Sequence, residues 1–304
     1  MSASHKTEIK VAGRSLVVSN LEKVLYPKTG FTKGEVIDYY IGISPVLLPH
    51  LKNRPITLKR YPEGVDGFFF YEKQCPAHRP DWIKTTTVPS ERRREKQIDY
   101  CVINDLPALV WAANLADLEL HTFLHRAPAI TRPTVLAFDL DPGPPADIKQ
   151  CCHVALWLKE TFAHLSLQSF PKTSGSKGLQ ILVPLNTPTS YEKTKPFAHA
   201  LAQRLEIERP DAVVSQMQKS LRTGKVLIDW SQNDEHKTTV TVYSLRAKEQ
   251  PSVSTPVTWE EVAKGAKDPN RLVFTPADVL TRVEKHGDLF EPVLRLKQHL
   301  PASA

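Results

Sequence analysis

The sequence predicts a mixed α/β protein with antiparallel hairpins. With 304 residues and 41% hydrophobic content, the chain can bury a core in one large domain or two lobes. Helical and strand-like segments follow one another without strict βαβ alternation, and no internal repeat is visible. Two prolines, in Ala127-Pro128 and Arg132-Pro133, indicate a weakly marked module boundary near residue 130. We therefore expect an N-terminal module over 1–130 and a second module over 131–304.

In the N-terminal module, Thr32 and Glu35 form the pattern of a helix-capping box. Apolar residues follow at helical spacing, and Pro45 is expected to limit that helix. Two strand-like stretches come next, at Ile56–Tyr61 and Gly67–Tyr71.

Asp105 predicts the start of another helix, with Pro107 in its first turn. In the second module, Asp147 predicts the cap of a helix that runs to about residue 164. The remaining elements are a hairpin of Leu167–Phe170 and Leu179–Pro184, a helix over Thr194–Leu205, strands Val226–Trp230 and Thr238–Ser244, and short C-terminal helices.

The composition favours a polyanionic partner. Lys and Arg number 40 against 33 Asp and Glu, which gives a formal net charge of +7 and a pI of about 9.1. A mildly basic protein without such a partner is the alternative. No apolar run approaches the roughly 18 residues that a membrane span needs, so we expect no membrane association.

The cysteines are Cys75, Cys101, Cys151 and Cys152, and none of them forms a C-x-x-C pair. A structural zinc site is therefore not expected. A reduced cytoplasmic protein with free thiols is the simplest interpretation.

Asp139 and Asp141 end an apolar run and are followed by Pro-Gly-Pro-Pro. Residues i and i+2 of a strand point to one face, so two carboxylates converge, which is unfavourable without a cation between them. Asp229 ends another apolar run, and if the two strands are neighbours, three carboxylates could hold two divalent cations for phosphoryl transfer. Alternatively these aspartates cap turns, and other metal enzymes, glycosyltransferases among them, also use D-x-D.

The segment Thr173–Gly178 offers hydroxyls, an ammonium and small residues whose amides can approach a phosphate. It is neither a P-loop nor a dinucleotide fingerprint, and a plain hairpin turn is the alternative. Basic residues near Asp229 could clamp a triphosphate or simply be solvated: Lys219, Arg222, Lys225, Lys237 and Arg246.

The N-terminal module combines basic residues with the aromatic run Phe68-Phe69-Phe70-Tyr71. Together with Lys23, Lys33, Lys59 and Arg60, this run fits a phosphate track beside a base-stacking surface. Burial of the aromatic run in the core is the alternative.

These motifs, in this order, resemble the polymerase domain of bacterial DNA ligase D, a branch of the archaeo-eukaryotic primase superfamily. The resemblance covers roughly residues 8–295 and rests on Asn20–Pro27, Lys59–Pro62, Glu72–Gln74, Phe138–Gly143, Thr173–Leu179, Lys219–Lys225 and Asp229–Asn233. It implies a primase-polymerase fold, in which an N-terminal α/β module packs on an RRM-like antiparallel sheet that carries the catalytic aspartates.

The resemblance also implies a nucleotidyltransferase that extends DNA or RNA primers at broken ends during non-homologous end joining. It implies two Mn²⁺ or Mg²⁺ ions, a ribonucleotide preference, DNA ends with a 5′-phosphate and nucleoside triphosphates as substrates, and Ku and an ATP-dependent ligase as partners at the bacterial nucleoid. The metal-binding catalytic residues would be Asp139, Asp141 and Asp229. The nucleotide would contact His121, Ser174, Lys177, Gln180, Arg222 and Arg246. Asn20, Lys23 and Lys33 would hold the downstream 5′-phosphate, and Phe70 and Tyr71 would face the template, alongside Lys59 and Arg60.

One position departs from the family pattern. Gln180 stands where the family has a histidine that touches the nucleotide phosphates, and glutamine cannot carry positive charge. The change could cost about 1–2 kcal/mol in nucleotide binding. A catalytically weak or inactive end-binding module is therefore an alternative, and a metal-dependent nuclease is another.

Overall fold

The computed structural model describes residues 6–90 and 97–301, so the basic run Arg92–Lys96 lies outside the described residues. The helices of the described part are α1 Lys33–Leu51, α2 Leu106–Asn114, α3 Ile148–His164, α4 Tyr191–Glu208, α5 Trp259–Gly265, α6 Pro276–His286 and α7 Glu291–Arg295. The strands are β1 Lys6–Val11, β2 Arg14–Ser19, β3 Val24–Tyr26, β4 Phe31–Thr32, β5 Pro55–Arg60, β6 Phe70–Glu72, β7 Lys84–Pro89, β8 Gln97–Val102, β9 Asp117–Thr122, β10 Val135–Pro142, β11 Phe170–Thr173, β12 Leu179–Pro184, β13 Val213–Val214, β14 Val226–Asp229, β15 Thr239–Val240, β16 Leu245–Arg246 and β17 Ser252–Val253.

Two sheets organise the molecule, which confirms the predicted mixed α and β architecture. The first has the order β15-β9-β5-β8-β7, with β6 added to the end of β5. The second has the order β11-β12-β10-β14-β13, and its strands pair antiparallel except for β13 with β14. Because β15 pairs with β9, the chain returns to the first sheet after leaving the second. The module boundary near residue 130 stays a prediction.

Strand β10 separates two hydrophobic cores. Its residues Leu136, Phe138 and Leu140 are fully buried against α3 in the second core. The alternate residues Val135 and Ala137 belong to the first core, in which α1 and α2 pack together. Since side chains alternate along a strand, Asp139 and Asp141 continue the row of Val135 and Ala137 beyond the first core. The pattern of burial thus brings both carboxylates to the cleft between the sheets.

The predicted helix starts are confirmed. Thr32 caps α1 with a full capping box to Glu35, and Asp105 and Asp147 cap α2 and α3 through their side chains. Each cap satisfies backbone N–H groups that have no partner within the helix.

The prediction that Pro45 limits the first helix is wrong, because α1 continues to Leu51. A proline inside a helix deprives the carbonyl four residues earlier of its usual N–H donor. Here that carbonyl belongs to Ile41, and the Ser44 hydroxyl donates to it at 2.8 Å. The local substitute lets the helix pass the proline.

Two strand boundaries also differ from the prediction. The first hairpin strand begins at Phe170, because the Gln298 side chain bonds the backbone N–H and carbonyl of Gln168 and replaces a strand there. The strand expected over Thr238–Ser244 is only Thr239–Val240, since Tyr243 has a positive φ of 64° that turns the chain.

The expectation of free thiols is wrong for one pair of cysteines. Cys75 and Cys101 form a disulfide, with their Cα atoms 5.0 Å apart. The hydrogen bond from the Cys75 N–H to the Asp99 carbonyl holds the first cysteine beside β8, a proximity that a separation of 26 residues conceals. Cys151 and Cys152 are free and buried in the second core.

Within residues 6–90 and 97–301, no helix combines the length and the apolar character needed to cross a membrane.

Candidate active site between the sheets

A row of polar side chains crosses four strands of the second sheet. Asp139 on β10 lies in register with Asp229 on β14 and with Gln180 on β12, and Gln180 is in turn opposite Lys172 on β11. Directly opposed residues of paired strands point to the same face of a sheet. The row therefore reads Lys172, Gln180, Asp139, Asp229 across one face.

The aspartates of this row repel one another. Burial, together with the charges of Asp141 and Asp229, raises the pKa of Asp139 to about 7, against the opposing effects of Lys172 and a hydrogen bond from Gln180. Asp141 is open to the cleft, yet desolvation there and the charge of Asp229 raise its pKa as well, while Arg222 and Arg246 lower it. Such mutual repulsion is what a bound cation would relieve.

Asp229 is oriented by its own turn. Its carboxylate accepts hydrogen bonds from the backbone N–H and the hydroxyl of Ser231 at 2.9 and 2.6 Å, and from the Gln232 amide at 2.9 Å. Asn233, at the end of this turn, bonds both the N–H and the carbonyl of Ala137 on β10. The Asp229 turn is thereby fixed to the strand that carries Asp139.

Lys172 is a buried cation that sequence reasoning missed. Its side chain is 1% exposed, and its ammonium donates to the Ser254 hydroxyl at 2.6 Å. Burial lowers the pKa of Lys172 to about 7, and the charge of Asp139 partly opposes that shift. The signal was its position opposite Gln180, which only the strand register reveals.

Gln180 is held by a neighbour from the first sheet. Its side-chain N–H donates to the Thr239 hydroxyl at 2.9 Å, while its carbonyl oxygen is buried without a partner. The residue is 4% exposed and lies at the cavity described next.

A cavity of about 250 Å³ opens above the row of polar side chains. Its walls bring together most of the predicted nucleotide-binding residues with both aspartates of β10. The lining consists of His121, Asp139, Asp141, Ser174, Ser176, Lys177, Gln180, Gln232, Thr238, Thr239, Val240, Arg246 and Lys248. A larger apolar cavity of about 630 Å³ lies on the other side of the loop over residues 174–178. The two cavities have Ser176, Lys177 and Lys248 in common.

The loop over residues 174–178, here called the Ser174 loop, is organised around one hydroxyl. Ser174 Oγ accepts hydrogen bonds from the N–H groups of Ser176 and Gly178, at 3.2 and 3.1 Å. At Gly178 a β-carbon would lie 1.9 Å from the Leu140 carbonyl oxygen, so no larger residue fits there. Lys177 is exposed at the tip of the loop and faces the cavity.

Glu119 is the second functional candidate that sequence reasoning missed. One of its carboxylate oxygens contacts Lys59 Nζ at 3.2 Å, His121 Nε2 at 3.1 Å and Arg246 Nε at 3.3 Å. The carboxylate is 1% exposed, and despite this burial the side chains of His121, Arg246 and Lys59 hold its pKa well below the usual range. The signal in the sequence was an isolated acid in the apolar strand Leu118-Glu119-Leu120.

Burial lowers the pKa of His121, although the hydrogen bond and the charge of Glu119 oppose the shift. Arg246 also donates through its guanidinium to the Ser174 carbonyl, so it joins Glu119 to the Ser174 loop. Arg222 does not line the cavity. It lies near enough to Asp141 to lower the pKa of that carboxyl, and it donates to the Met217 carbonyl at 2.6 Å.

Lys59 and Arg60 are neighbours in sequence but serve opposite faces of β5. Lys59 Nζ lies 5.3, 4.9 and 5.3 Å from the ring centroids of Tyr61, Phe69 and Tyr71, and we call these four residues the Lys59 aromatic cluster. The Tyr71 ring meets the His121 ring edge-on at 5.8 Å, so this cluster borders the cavity. Lys59, expected among the DNA-binding residues, therefore lies beside the candidate nucleotide cavity.

Arg60 faces the other predicted DNA-binding residues. It pairs with Glu72 at 2.7 Å and lies 5.2 Å from the Phe70 ring centroid, and Phe70 stacks on the exposed Phe68. The aromatic run is thus divided between two surfaces, and Phe68, Phe69 and Tyr71 are exposed.

Lys33 is buried at the start of α1, where its ammonium donates to the Ser19 carbonyl at 2.6 Å. Burial, together with the charges of Lys23 and Arg60, lowers the pKa of Lys33 to about 8. Lys23 lies 3.6 Å from Glu63 and is partly exposed, and Asn20 takes a positive φ of 53° in the same turn. Lys23, Lys33 and Arg60 thus form a cationic group outside the cavity.

No group of three or more His, Cys, Asp or Glu side chains in the described ranges forms a ready-made metal cage.

Comparison with known proteins assigns these features to one family. The model of the LigD primase-polymerase domain matches residues 32–290. The multifunctional non-homologous end joining protein LigD of Mycolicibacterium smegmatis is 40% identical over 282 residues, which cover 91% of this chain and 36% of that protein. The bifunctional non-homologous end joining protein LigD of Bacillus subtilis is 31% identical over 290 residues, which cover 95% of this chain and 46% of that protein.

The chain thus spans well under two thirds of the length of these relatives. Among solved structures, the polymerase domain from Mycobacterium tuberculosis ligase D in complex with DNA superposes with a TM-score of 0.86 at 40% identity. That match covers 93% of this chain and 99% of the solved one.

Proposed function

The chain belongs to the LigD primase-polymerase domain family, and from this premise we propose that it is a template-dependent polymerase that extends DNA ends and fills gaps in non-homologous end joining. The observation that carries the proposal is the register of Asp139 with Asp229 at a cavity lined by Lys177 and Arg246. Acidic and cationic side chains line this cavity together, which is the combination that a metal-bound nucleoside triphosphate requires.

The acidic side of the cavity fits divalent cations. Asp139, Asp141 and Asp229 would hold two Mn²⁺ or Mg²⁺ ions, because their mutual repulsion is already expressed in the raised pKa values of Asp139 and Asp141. When bound, such ions activate the primer 3′-hydroxyl and neutralise charge on the leaving pyrophosphate. The hydrogen bonds from Ser231 and Gln232 orient the Asp229 carboxylate towards that task.

The cationic side would bind the triphosphate. Lys177 and Arg246 supply positive charge, and the Ser174 hydroxyl, which accepts two bonds from its own loop, retains a hydrogen to donate to a phosphate oxygen. Arg222 would approach the same phosphates from beside Asp141. Gln180 contributes a neutral amide in this role.

The sugar would lie near His121, whose pKa is lowered by burial. In the neutral ring the Nε2 N–H donates to Glu119, so Nδ1 would be the acceptor for a sugar hydroxyl. Gln232, Thr238 and Thr239 also line this part of the cavity. Their hydroxyl and amide groups can bond a ribose 2′-hydroxyl, which supports the proposed ribonucleotide preference.

The DNA would lie on the first sheet. Lys23, Lys33 and Arg60 gather positive charge without a sequence-reading element, and with Asn20 they suit the 5′-phosphate of a downstream strand. The aromatic residues on either side of β5, the partly exposed Phe70 and the exposed Tyr71 among them, can stack on unpaired template bases. We extend the proposal to terminal-transferase-like addition, to Ku and an ATP-dependent ligase as partners, and to a place at the bacterial nucleoid.

A primer–template extension assay tests the proposal. A labelled nucleotide with Mn²⁺ should be incorporated opposite its complement, and Asp139→Ala should abolish the signal while DNA affinity is kept. If the unaltered chain incorporates nothing at any nucleotide concentration but binds DNA ends, the end-binding alternative replaces the polymerase. Release of mononucleotides without added nucleotide would instead identify a nuclease.

A further inference from the structure

Glu119 lies where the two halves of the proposed active site meet. Its strand neighbours Leu118 and Leu120 are fully buried, and the carboxylate itself is 1% exposed. A buried carboxylate is costly unless it is paired and hydrogen-bonded. Both of its oxygens are used, one by three basic side chains and the other by the Ala247 N–H at 3.1 Å and the Tyr61 hydroxyl at 3.4 Å.

One arm of this arrangement leads to the nucleic-acid side. Lys59 contacts Glu119 at 3.2 Å and sits among the three rings of the Lys59 aromatic cluster. Phe69 and Tyr71 of that cluster are 46% and 54% exposed, so the rings are available to a base while their cation is anchored below. The position of Lys59 therefore fixes the orientation of the exposed Phe69 and Tyr71 rings.

The other arm leads to the phosphate side. Arg246 contacts the same Glu119 oxygen at 3.3 Å, and its terminal nitrogen donates to the Ser174 carbonyl. The neighbouring Ala247 N–H bonds the second Glu119 oxygen, which fixes the backbone beside the arginine. The Ser174 loop and Glu119 are thus connected through one guanidinium.

Charge makes these two arms interdependent. Lys59 and Arg246 are basic side chains that contact the same oxygen of the single buried Glu119 carboxylate, at 3.2 and 3.3 Å, and therefore share it. An anion bound at Arg246 takes over part of the pairing of that guanidinium and leaves Glu119 more fully available to Lys59. At low local dielectric such a redistribution is energetically significant.

We infer that Glu119 is a positioning residue that couples the Lys59 aromatic cluster to the Ser174 loop, so that template and nucleotide each strengthen binding of the other. The inference rests on the proposed function, since it assigns the template to the aromatic cluster and the triphosphate to the loop. Coupling between two ligands is reciprocal, so it can be measured from either side.

The test measures binding rather than turnover. A nucleoside triphosphate with a non-cleavable α,β-methylene bridge is titrated calorimetrically with Mg²⁺, once into the free protein and once into its complex with a dideoxy-terminated primer–template. The ratio of the two Kd values is the coupling factor. We expect a factor of about fivefold or more in the unaltered chain, within the usual range of such couplings.

Two variants cut the coupling in different ways. Glu119→Gln should weaken nucleotide binding to the DNA complex about tenfold and bring the coupling factor within about twofold of one. Lys59→Met keeps the apolar stem and removes the charge of the template arm, so it should also bring the coupling factor within about twofold of one, because that factor compares two Kd values of the same variant. If Glu119→Gln does not fold, the coupling factor of Lys59→Met alone tests the inference.

The control is Glu261→Gln, which removes one partner of the partly buried Arg282 pair far from the cavity. It should keep the original coupling factor. A coupling factor that persists in Glu119→Gln and Lys59→Met, or that is absent from the unaltered chain, overturns the inference. Failure of the proposed function would give a different result. The unaltered chain would then incorporate no nucleotide in the extension assay, although the two calorimetric titrations would still measure the coupling factor.

Discussion

Asp139 and Asp229 are directly opposed on the antiparallel strands β10 and β14, and Asp139 lines the cavity between the sheets. Side chains in such positions have β-carbons about 4.5–5.5 Å apart. Without a bound cation, repulsion between the two carboxylates therefore destabilises the folded protein. Bound cations and substrate phosphates would relieve that repulsion. The site thus favours cation binding at a cost in the stability of the metal-free protein.

Asp139→Asn should stabilise the metal-free protein and abolish extension. The folded-state pKa of Asp139 is raised to about 7 from 3.8, so its contribution to stability is full below pH 4 and is lost as the pH rises to about 7. At pH 8 with chelator we expect a gain on the order of 1–3 kcal/mol from urea unfolding, and none at pH 4. Activity should fall about 10³-fold or more. A variant less stable than the original at pH 8 would contradict this account.

Binding of DNA ends with a 5′-phosphate should weaken above pH 8. The pKa of Lys33 is lowered to about 8 by burial and by two neighbouring cations, so the ammonium form that a phosphate needs is lost as the pH rises through that value. Fluorescence anisotropy should show the advantage of 5′-phosphorylated over unphosphorylated ends shrinking between pH 7 and pH 9.

Lys33→Arg provides the control for this effect, because arginine keeps its charge over that range. Its preference for phosphorylated ends should hardly change with pH. An equal loss in both proteins would place the titrating group elsewhere.

Asn233→Ala should destabilise the protein by about 2–4 kcal/mol. The side chain is fully buried and bonds both the N–H and the carbonyl of Ala137, at 3.0 and 2.7 Å. The substitution leaves both backbone groups without a partner inside the protein. Urea unfolding measures the loss, and the exposed Asn270→Ala serves as the matched control, expected within about 0.5 kcal/mol of the original.

His125 should make the fold sensitive to acid. Burial and the Arg54 charge lower its pKa from 6.5 to about 3, so the neutral ring contributes stability that is full above pH 6.5 and is lost as the pH falls towards 3. The slope from this group is at most about 1.4 kcal/mol per pH unit.

His125→Gln should flatten the dependence of Tm on pH between 6.5 and 4, whatever its effect on absolute stability. The exposed His286→Gln should keep the original profile. Parallel profiles for His125→Gln and the original protein would exclude this histidine as the source.

Local patterns predicted local structure well. The caps at Thr32, Asp105 and Asp147 depend on side chains within three residues, and all of them form. The convergence of Asp139 with Asp229 was predicted on the condition that their strands are neighbours, and the register of β10 with β14 meets that condition.

Long-range pairing could not be predicted in the same way. Glu119 contacts Lys59 and Arg246, and Lys172 contacts Ser254, from segments more than fifty residues away, and nothing nearby in the sequence indicates these distant partners. The continuation of α1 past Pro45 depends on one serine hydroxyl that supplies the missing donor, a detail that a general rule about proline passes over. Lys59 and Arg60 lie on opposite faces of β5 because side chains alternate along a strand. Which of the two faces borders the cavity depends on the neighbouring strand β9, whose position the sequence alone does not give.

The Ser174 loop has a second duty besides any contact with phosphate. It is the turn between β11 and β12, and so its length sets which residues of those strands stand opposite each other. One residue more or fewer would exchange the two faces of a strand, sending Gln180 or Lys172 into the apolar layer beneath and a buried aliphatic residue up into the cleft. The hairpin should therefore tolerate a new side chain at its exposed Ser176 far better than the gain or loss of a single residue.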